Sequence, residues 1–119
     1  MKYFLKNRLV SFKYALKGFY LLIKTEHSII AQILLFSGVI FLGFFFEISK
    51  QDWINQILVM GLILGIEGIN TAVEKLADFV HIEQHPKIGF IKDISAGAVA
   101  FAAIAGLIIF CIIYIPYIN

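Results

Sequence analysis

Four polar side chains recur along a stretch of this chain that is otherwise apolar. Glu67, Asn70, Glu74 and Asp78 follow the spacing i, i+3, i+7, i+11. Successive residues of an α-helix turn by about 100°, so this spacing puts all four on one face. Carboxylate and amide oxygens gathered on one face suit a hard cation such as Mg²⁺. The stripe therefore predicts a site of chemistry, although hydrogen bonding to neighbouring helices would also explain Asn70 and a solvated helix end would explain Asp78.

The segment that carries the stripe, residues 53–80, is apolar enough to cross a bilayer. Two further apolar runs, 29–46 and 92–115, approach the ~20 residues that a membrane-spanning helix needs. Of the 119 residues, 61% are hydrophobic, and the mean hydropathy of +0.90 is far above that of a soluble domain. A carboxylate in such a helix is costly and usually marks a functional site.

The first 25 residues predict a helix that lies in the membrane interface. Five lysines share one helical face, with aromatic and aliphatic side chains between them. No short apolar core with a cleavage site follows, so we expect no signal peptide. The predicted fold is therefore an all-α membrane protein, a single domain over 1–119, with an interfacial helix at 1–25 and three transmembrane helices.

The distribution of basic residues predicts the orientation of the chain. Six of them precede the first span, three lie at 75–92, and the tail after residue 115 has none. By the positive-inside rule, the N-terminus and the second connection are cytoplasmic and the C-terminus is outside. A net charge of +2 gives no reason to expect nucleic acid as a partner. The single cysteine, Cys111, excludes an internal disulfide.

Several shorter motifs carry weaker predictions. Ser49 is expected to cap the second span. Lys92 and Asp93 are expected at the start of the third span, where a helix N-terminus favours anions and a lysine can meet a phosphate; Asp93 could instead be a cap. Glu26 is either a solvated charge or a metal ligand that meets Glu74 across a helix interface. The two histidines of the second connection lack a fourth ligand for structural zinc.

The sequence EGINTAVE at 67–74, followed by Asp78, His85–Pro86 and KDISAGAV at 92–99, resembles the small bacterial membrane lipid kinases. These form the prokaryotic diacylglycerol kinase and undecaprenol kinase family. The basic amphipathic start, with YALKG at 14–18 and Glu26, extends the resemblance over nearly the whole chain. No glycine-rich phosphate loop is present, so a nucleotide site here is built without one.

The resemblance implies a homotrimer in the bacterial cell membrane, with active sites at subunit boundaries on the cytoplasmic side. It implies transfer of the γ-phosphoryl group of ATP, with Mg²⁺ as cofactor, to a membrane lipid alcohol. Glu67 would be the general base, and Glu26 and Glu74 the metal ligands. The implied nucleotide-binding residues are Arg8, Tyr14, Glu26, Asn70, Glu74, Glu83, His85, Lys92 and Asp93.

Three positions depart from the residues that are frequent in the family, namely Ile30, Gln32 and Gln84, and Arg8 is displaced by one position. These departures affect individual nucleotide contacts and leave the chemistry intact. His85–Pro86 with the motif at 92–99 resembles the undecaprenol kinase branch more than the diacylglycerol kinase branch. This resemblance favours undecaprenol as the lipid, with diacylglycerol, which gives phosphatidate, as the alternative. Two other classes are a small ion or proton transporter, because intramembrane carboxylates also relay protons, and a non-catalytic membrane subunit packed through small residues. A transporter would need polar groups along the rest of the helix. A non-catalytic subunit would leave the acidic residues that could bind a metal without a role.

Overall fold

The computed structural model describes residues 1–81, 83 and 85–119, and within them every regular element is helical. The four helices are α1 (Lys2–Thr25), α2 (His27–Phe45), α3 (Lys50–Val80) and α4 (Pro86–Ile118). Helices α2, α3 and α4 are each long and apolar enough to cross a membrane. This architecture confirms the predicted fold class, with an N-terminal helix ahead of three candidate spans.

Helix α4 begins at Pro86, six residues before the expected start of the third span at 92. His85 is its N-cap, and the His85 Nδ1 atom accepts a hydrogen bond of 3.1 Å from the backbone N–H of Lys87. Pro86 suits the first helical position because it has no N–H to leave unpaired. The prediction that Lys92 and Asp93 start the helix was therefore wrong: they are its seventh and eighth residues, and Asp93 does not cap it.

The connection between α2 and α3 is short because both helix ends are closed locally. The Ser49 hydroxyl accepts a hydrogen bond of 3.1 Å from the N–H of Asp52, which confirms the predicted cap. At the other side, Glu47 has a φ of 52°, and the N–H of Ile48 donates to the carbonyl of Gly43 at 3.2 Å. This is a Schellman closure, with the buried Ile48 as its hydrophobic contact.

Helix α3 is central, since it packs along α4 for most of its length and against α2 on another side. The core of this bundle consists of Phe36, Val59, Met60, Ile63 and Ala102. Gly106 lets α4 approach closely, because a Cβ atom there would lie 2.6 Å from Cδ1 of Ile63. Such close packing through small residues is what holds helices together in lipid, where hydrophobic burial between helices gains little.

A polar cluster joins all three spans at the end of the bundle near the α2–α3 connection. The Tyr114 hydroxyl of α4 lies 2.7 Å from Oε1 of Gln56 in α3 and 3.0 Å from the carbonyl oxygen of Val39 in α2. Gln56 has no exposed surface. Its Nε2 atom has no hydrogen-bond partner among the described residues. We refer to Gln56, Tyr114 and the Val39 carbonyl as the polar clamp.

Helix α1 extends away from the bundle. The molecule measures 51 × 47 × 23 Å. The longest dimension matches the length of α4, at about 1.5 Å per residue. The second dimension is wider than three packed helices at about 10 Å each, so α1 extends beyond them. No residue of α1 is buried, and its contact with α3 is made by Leu22, whose Cδ1 atom lies 3.1 Å from the Cβ position of Gly68. This placement agrees with a helix that lies along a membrane surface.

Candidate functional site

The predicted stripe lies in the second half of α3 and becomes more exposed towards the helix end. Asn70 is buried, Glu67 is half-buried, and Glu74 is exposed. The Nδ2 atom of Asn70 donates to Oε1 of Glu74 at 3.5 Å. The Oδ1 atom of Asn70 is buried without a hydrogen-bond partner in the described part of the chain. An amide oxygen in that state is free to accept a hydrogen bond or to bind a cation.

Glu26 reaches the same region because the chain changes direction at this residue. It ends α1 and begins α2 with an extended backbone, φ −100° and ψ 110°. Its carboxylate forms an ion pair of 3.1 Å with Nζ of Lys75, the residue that follows Glu74 in α3. The contact of α1 with Gly68 lies just below this pair, so the same crossing of α1 over α3 that the glycine permits also positions Glu26.

Lys92 of α4 also reaches the end of α3, where its Nζ atom forms an ion pair with Asp78. Asp78 is therefore more than a solvated helix end. Beside this pair, the short connection between α3 and α4 lines a cleft of about 500 Å³. The cleft is lined by Asp78, His81, Glu83, His85, Pro86, Ile88, Gly89 and Lys92. It contains three of the predicted nucleotide-binding residues and is polar enough to receive a charged ligand.

Two ion pairs thus join the break between α1 and α2, the end of α3 and the start of α4 at one end of the bundle. Glu67, Asn70 and Glu74 belong to the same end, since they lie on α3 between the bundle core and Asp78. Residues 57–66 of α3 are apolar or glycine, so the carboxylates do not continue along the helix. The arrangement is that of a site at a membrane face rather than of a path across the membrane.

Comparison with known proteins identifies the chain. The sequence model described as prokaryotic diacylglycerol kinase matches residues 13–114. The chain belongs to the prokaryotic diacylglycerol kinase family. The undecaprenol kinase of Bacillus subtilis is 31% identical over 106 residues, covering 89% of this chain and 86% of the relative. The diacylglycerol kinase of Pseudomonas aeruginosa is 31% identical over 94 residues, covering 79% of this chain and 76% of the relative.

Membership assigns the general activity of this protein. The family consists of ATP-dependent lipid kinases, so the protein is a multi-pass membrane enzyme that uses ATP and a lipid substrate. The match covers α3, the α3–α4 connection and most of α4, together with the part of α1 that leads to Glu26. The carboxylates at one end of the bundle lie within the matched region.

The oxygen atoms at the site of this lipid kinase fit a magnesium ion. Among residues 1–81, 83 and 85–119, no three His, Cys, Asp or Glu side chains gather as a complete metal cage. Mg²⁺ does not need one, because it is usually bound by one or two carboxylates together with substrate phosphates and water. Glu74 and the unpartnered oxygen of Asn70 provide part of such a set. Glu26 contacts Lys75, the residue that follows Glu74 in α3, rather than Glu74 itself.

Two of the predicted nucleotide-binding residues do not reach this site within one chain. Arg8 lies 18 residues before Glu26 on the same helix, about 27 Å along its axis, and Tyr14 lies about 18 Å away. The guanidinium of Arg8 stacks over the ring of Phe4 at 5.1 Å, and Tyr14 is exposed. The structure also leaves Asp93 exposed on α4. For these residues the nucleotide role stays a prediction. Gln84, which was noted as a departure from the family, lies outside the described residues.

The sequence analysis missed the structural environment of two side chains, Lys75 and Gln32. Lys75 was counted only as a basic residue near a span end, and nothing in its spacing indicates a partner on another helix. Gln32 was noted only as a departure from the family, yet its Oε1 atom is buried without a partner in the portion of the chain described. A polar residue on the packing face of α2, one turn from the buried Ile29 and Phe36, was the available signal for Gln32.

Proposed function

We propose that this lipid kinase transfers the γ-phosphoryl group of MgATP to the hydroxyl of a membrane lipid alcohol, with undecaprenol as the favoured substrate. One observation carries the proposal: Glu26, the acids of α3 and Lys92 lie at one end of a bundle that exposes many large apolar side chains along its helices. A lipid hydroxyl at a membrane face and a nucleotide from the aqueous side can both reach such a place.

In the proposed mechanism, Glu67 is the general base. The half-buried carboxylate accepts the proton of the lipid hydroxyl while that oxygen attacks the γ-phosphorus of ATP. The bond from the γ-phosphorus to the bridging oxygen breaks, and ADP leaves with the electron pair. Phosphoryl transfer depends mostly on positioning and on charge neutralisation, so one base and a few charged groups are sufficient.

Glu26 and Glu74, with Asn70 beside them, are the proposed ligands of Mg²⁺. When bound, the ion would neutralise charge on the β- and γ-phosphate oxygens. The hydrogen bond between Asn70 and Glu74 orients one of these carboxylates, and the α1–α2 break holds the other beside α3. The proposal is supported by the chemistry of the donors, which are all hard oxygen atoms.

The proposed nucleotide site is the cleft beside the α3–α4 connection. Lys92 offers a positive charge for a phosphate, and Glu83 and His85 offer polar atoms for the rest of the nucleotide. Asp93 is assigned to this site by family resemblance. Lys92 is held by Asp78 in the structure, so binding of a phosphate there would exchange one anionic partner of the lysine for another.

Arg8 and Tyr14 support a site that is shared between copies of the chain. Each is too far along α1 to act at the site of its own chain. The exposed side of α3 includes Gly61 and Gly65, where nothing lies within 4 Å of a Cβ position. Small residues in such positions allow another transmembrane helix to pack closely. The family resemblance implies a homotrimer, and we propose that α1 of one copy contributes to the site of its neighbour.

The proposed orientation puts this site on the cytoplasmic side, with the C-terminus outside. The lysines of α1 and those near the α3–α4 connection support it by the positive-inside rule. The same side is where ATP is available. The membrane is then the bacterial cytoplasmic membrane, in agreement with the family to which the chain belongs.

For the lipid, undecaprenol is favoured over diacylglycerol. The identity to the named undecaprenol kinase and to the named diacylglycerol kinase is the same, 31%, but the first match covers more of this chain, 89% against 79%. The motif at 92–99 also resembles the undecaprenol kinase branch. Diacylglycerol remains the second candidate, because both lipids bury an apolar tail and present one hydroxyl.

The experiment compares the natural chain with Glu67→Gln in bilayers that contain either lipid, using radiolabelled ATP. We expect phosphorylation of undecaprenol to exceed that of diacylglycerol, and Glu67→Gln to lower the rate about 10²- to 10⁴-fold, the usual contribution of a general base. Glu47→Gln is the matched control, because that carboxylate lies in the connection at the opposite end of the bundle. Full activity of a correctly assembled Glu67→Gln variant would refute the assignment of the base, and a preference for diacylglycerol would refute the choice of lipid.

A further inference from the structure

The ion pair between Glu26 and Lys75 joins a mostly buried carboxylate to an exposed lysine. The side chain of Glu26 is only 20% exposed, whereas that of Lys75 is 69% exposed, and their charged atoms are 3.1 Å apart. Both residues border a cleft of about 450 Å³ between α1 and α3. The walls of this cleft are otherwise mostly apolar, and Leu21, Leu22 and Ala72 are among them.

This environment explains why Glu26 needs a cation beside it. A carboxylate that is largely removed from water is costly unless it is paired with a positive charge. Lys75 provides that charge, since its stem can follow the apolar wall of the cleft while its ammonium group reaches the carboxylate. Glu26 is also one of the two carboxylates proposed above as magnesium ligands. The lysine is therefore paired with a carboxylate oxygen that a metal ion would need.

We propose that Lys75 is an internal counter-ion that occupies the Glu26 carboxylate in the metal-free kinase and must be displaced when a divalent cation binds. The inference rests on the proposed function, because it takes Glu26 as a metal ligand. Displacement is feasible because the exposed lysine is the mobile partner and a doubly charged cation attracts the carboxylate more strongly than a single ammonium charge. The lysine thus weakens metal binding and makes it more selective for multivalent cations.

A matched control is available in the same part of the molecule. Lys24 lies two residues before Glu26 and carries the same charge, but its Nζ atom stands over the ring of Tyr20, 5.5 Å from the centroid. Lys24→Gln removes one positive charge from the region without removing the ion pair. Lys75→Gln removes the same charge together with the pair, and Lys75→Arg retains both. Comparing Lys75→Gln with Lys24→Gln separates two effects. One is competition between the lysine and the metal ion for Glu26, and the other is the general attraction of cations to a less positive surface.

The test is a titration of the nucleotide-free, full-length kinase with Mn²⁺, followed by the electron paramagnetic resonance signal of the free ion. Mn²⁺ accepts the same oxygen ligands as Mg²⁺. We expect Lys75→Gln to bind Mn²⁺ about two- to five-fold more tightly than Lys24→Gln, as follows from the strength of a partly exposed pair. We expect Lys75→Arg to bind like the natural chain. In a Glu26→Gln background, Lys75→Gln should change Mn²⁺ binding no more than Lys24→Gln does, because only the general effect of the lost positive charge remains.

The outcomes separate this inference from the function on which it rests. If Glu26→Gln weakens Mn²⁺ binding but Lys75→Gln and Lys24→Gln change it equally, Glu26 is a ligand and Lys75 is not a competitor. If Lys75→Gln weakens Mn²⁺ binding, the lysine supports the site and the proposal is wrong. If Glu26→Gln leaves Mn²⁺ binding unchanged, both the metal assignment and the proposal for Lys75 are overturned.

Discussion

The polar clamp allows a prediction about the stability of the fold. The effect of replacing Gln56 should depend on whether Tyr114 is present, because the Nε2 atom of Gln56 has no hydrogen-bond partner among the described residues. The Tyr114 hydroxyl contacts two acceptors, Oε1 of Gln56 at 2.7 Å and the carbonyl of Val39 at 3.0 Å. Gln56 has Tyr114 as its side-chain partner, and its Nε2 atom has none among the residues described. Replacing one of these residues therefore has a different consequence for the hydrogen bonding of the other. Tyr114 without Gln56 retains an acceptor, whereas Gln56 without Tyr114 is a fully buried amide that has lost its partner.

The magnitudes follow from this asymmetry. Tyr114→Phe should destabilise the fold by about 1–2 kcal/mol, the cost of a buried polar group left unsatisfied, reduced because hydrogen bonds in membranes are modest. Gln56→Met, which has a similar shape, should change stability by less than about 0.5 kcal/mol, because it removes one bond and one unpaired buried group together. In the Tyr114→Phe background, Gln56→Met should be stabilising by about 1 kcal/mol.

The assay is reversible unfolding in mixed micelles of a mild detergent and sodium dodecyl sulfate, monitored by circular dichroism and by the fluorescence of the single tryptophan, for the natural chain, both single variants and the double variant. Helix content and kinase activity of each folded variant show that the bundle is intact. The reasoning is refuted if Gln56→Met has the same effect on the free energy of unfolding in both backgrounds. It is also refuted if Gln56→Met alone costs more than Tyr114→Phe.

Three further predictions concern single positions. Gly43→Ala should destabilise the bundle by about 1–3 kcal/mol, because its Cβ atom would lie 2.8 Å from the ring of Trp53. Gly97→Ala is its control: nothing lies within 4 Å, so helix propensity should make it neutral or stabilising in the same unfolding assay. Glu47→Gly should raise the thermal midpoint in detergent, with a gain of about 0.5–1 kcal/mol, because Glu47 has a φ of 52° that glycine adopts without strain; a lower midpoint would contradict this. Glu74→Gln should raise the Mg²⁺ concentration needed for half-maximal phosphorylation, and an unchanged metal titration would count against Glu74 as a ligand.

The helices were predictable because local rules determine most of their bounds. Apolar runs of sufficient length predicted three spans, and Ser49 predicted the start of α3, with its hydroxyl bonded to the N–H of Asp52 as expected. The start of α4 was missed because its cap is a histidine. Histidine is not among the usual N-cap residues, and Lys87 and Gly89 interrupt the apolar pattern in the first turn of the helix.

Only the part of the candidate site that lies on a single helix, α3, was predictable. Spacing placed Glu67, Asn70 and Glu74 on one face of α3, and the structure adds that Asn70 is buried and bonded to Glu74. The catalytic and metal-binding roles stay predictions, supported by family membership. The pairing of Glu26 with Lys75 was not predictable, since it depends on where α1 crosses α3.

The sequence by itself determined the membrane class, the number of helices and the face of α3 that bears the acids, because helical periodicity and hydropathy act over neighbouring residues. Only the tertiary structure decided which charges meet. The ion pairs Glu26–Lys75 and Asp78–Lys92 each join different helices, and the close contacts at Gly68 and Gly106 set how those helices approach. Contacts between residues far apart in the chain depend on packing distances and crossing points, and no local pattern encodes these.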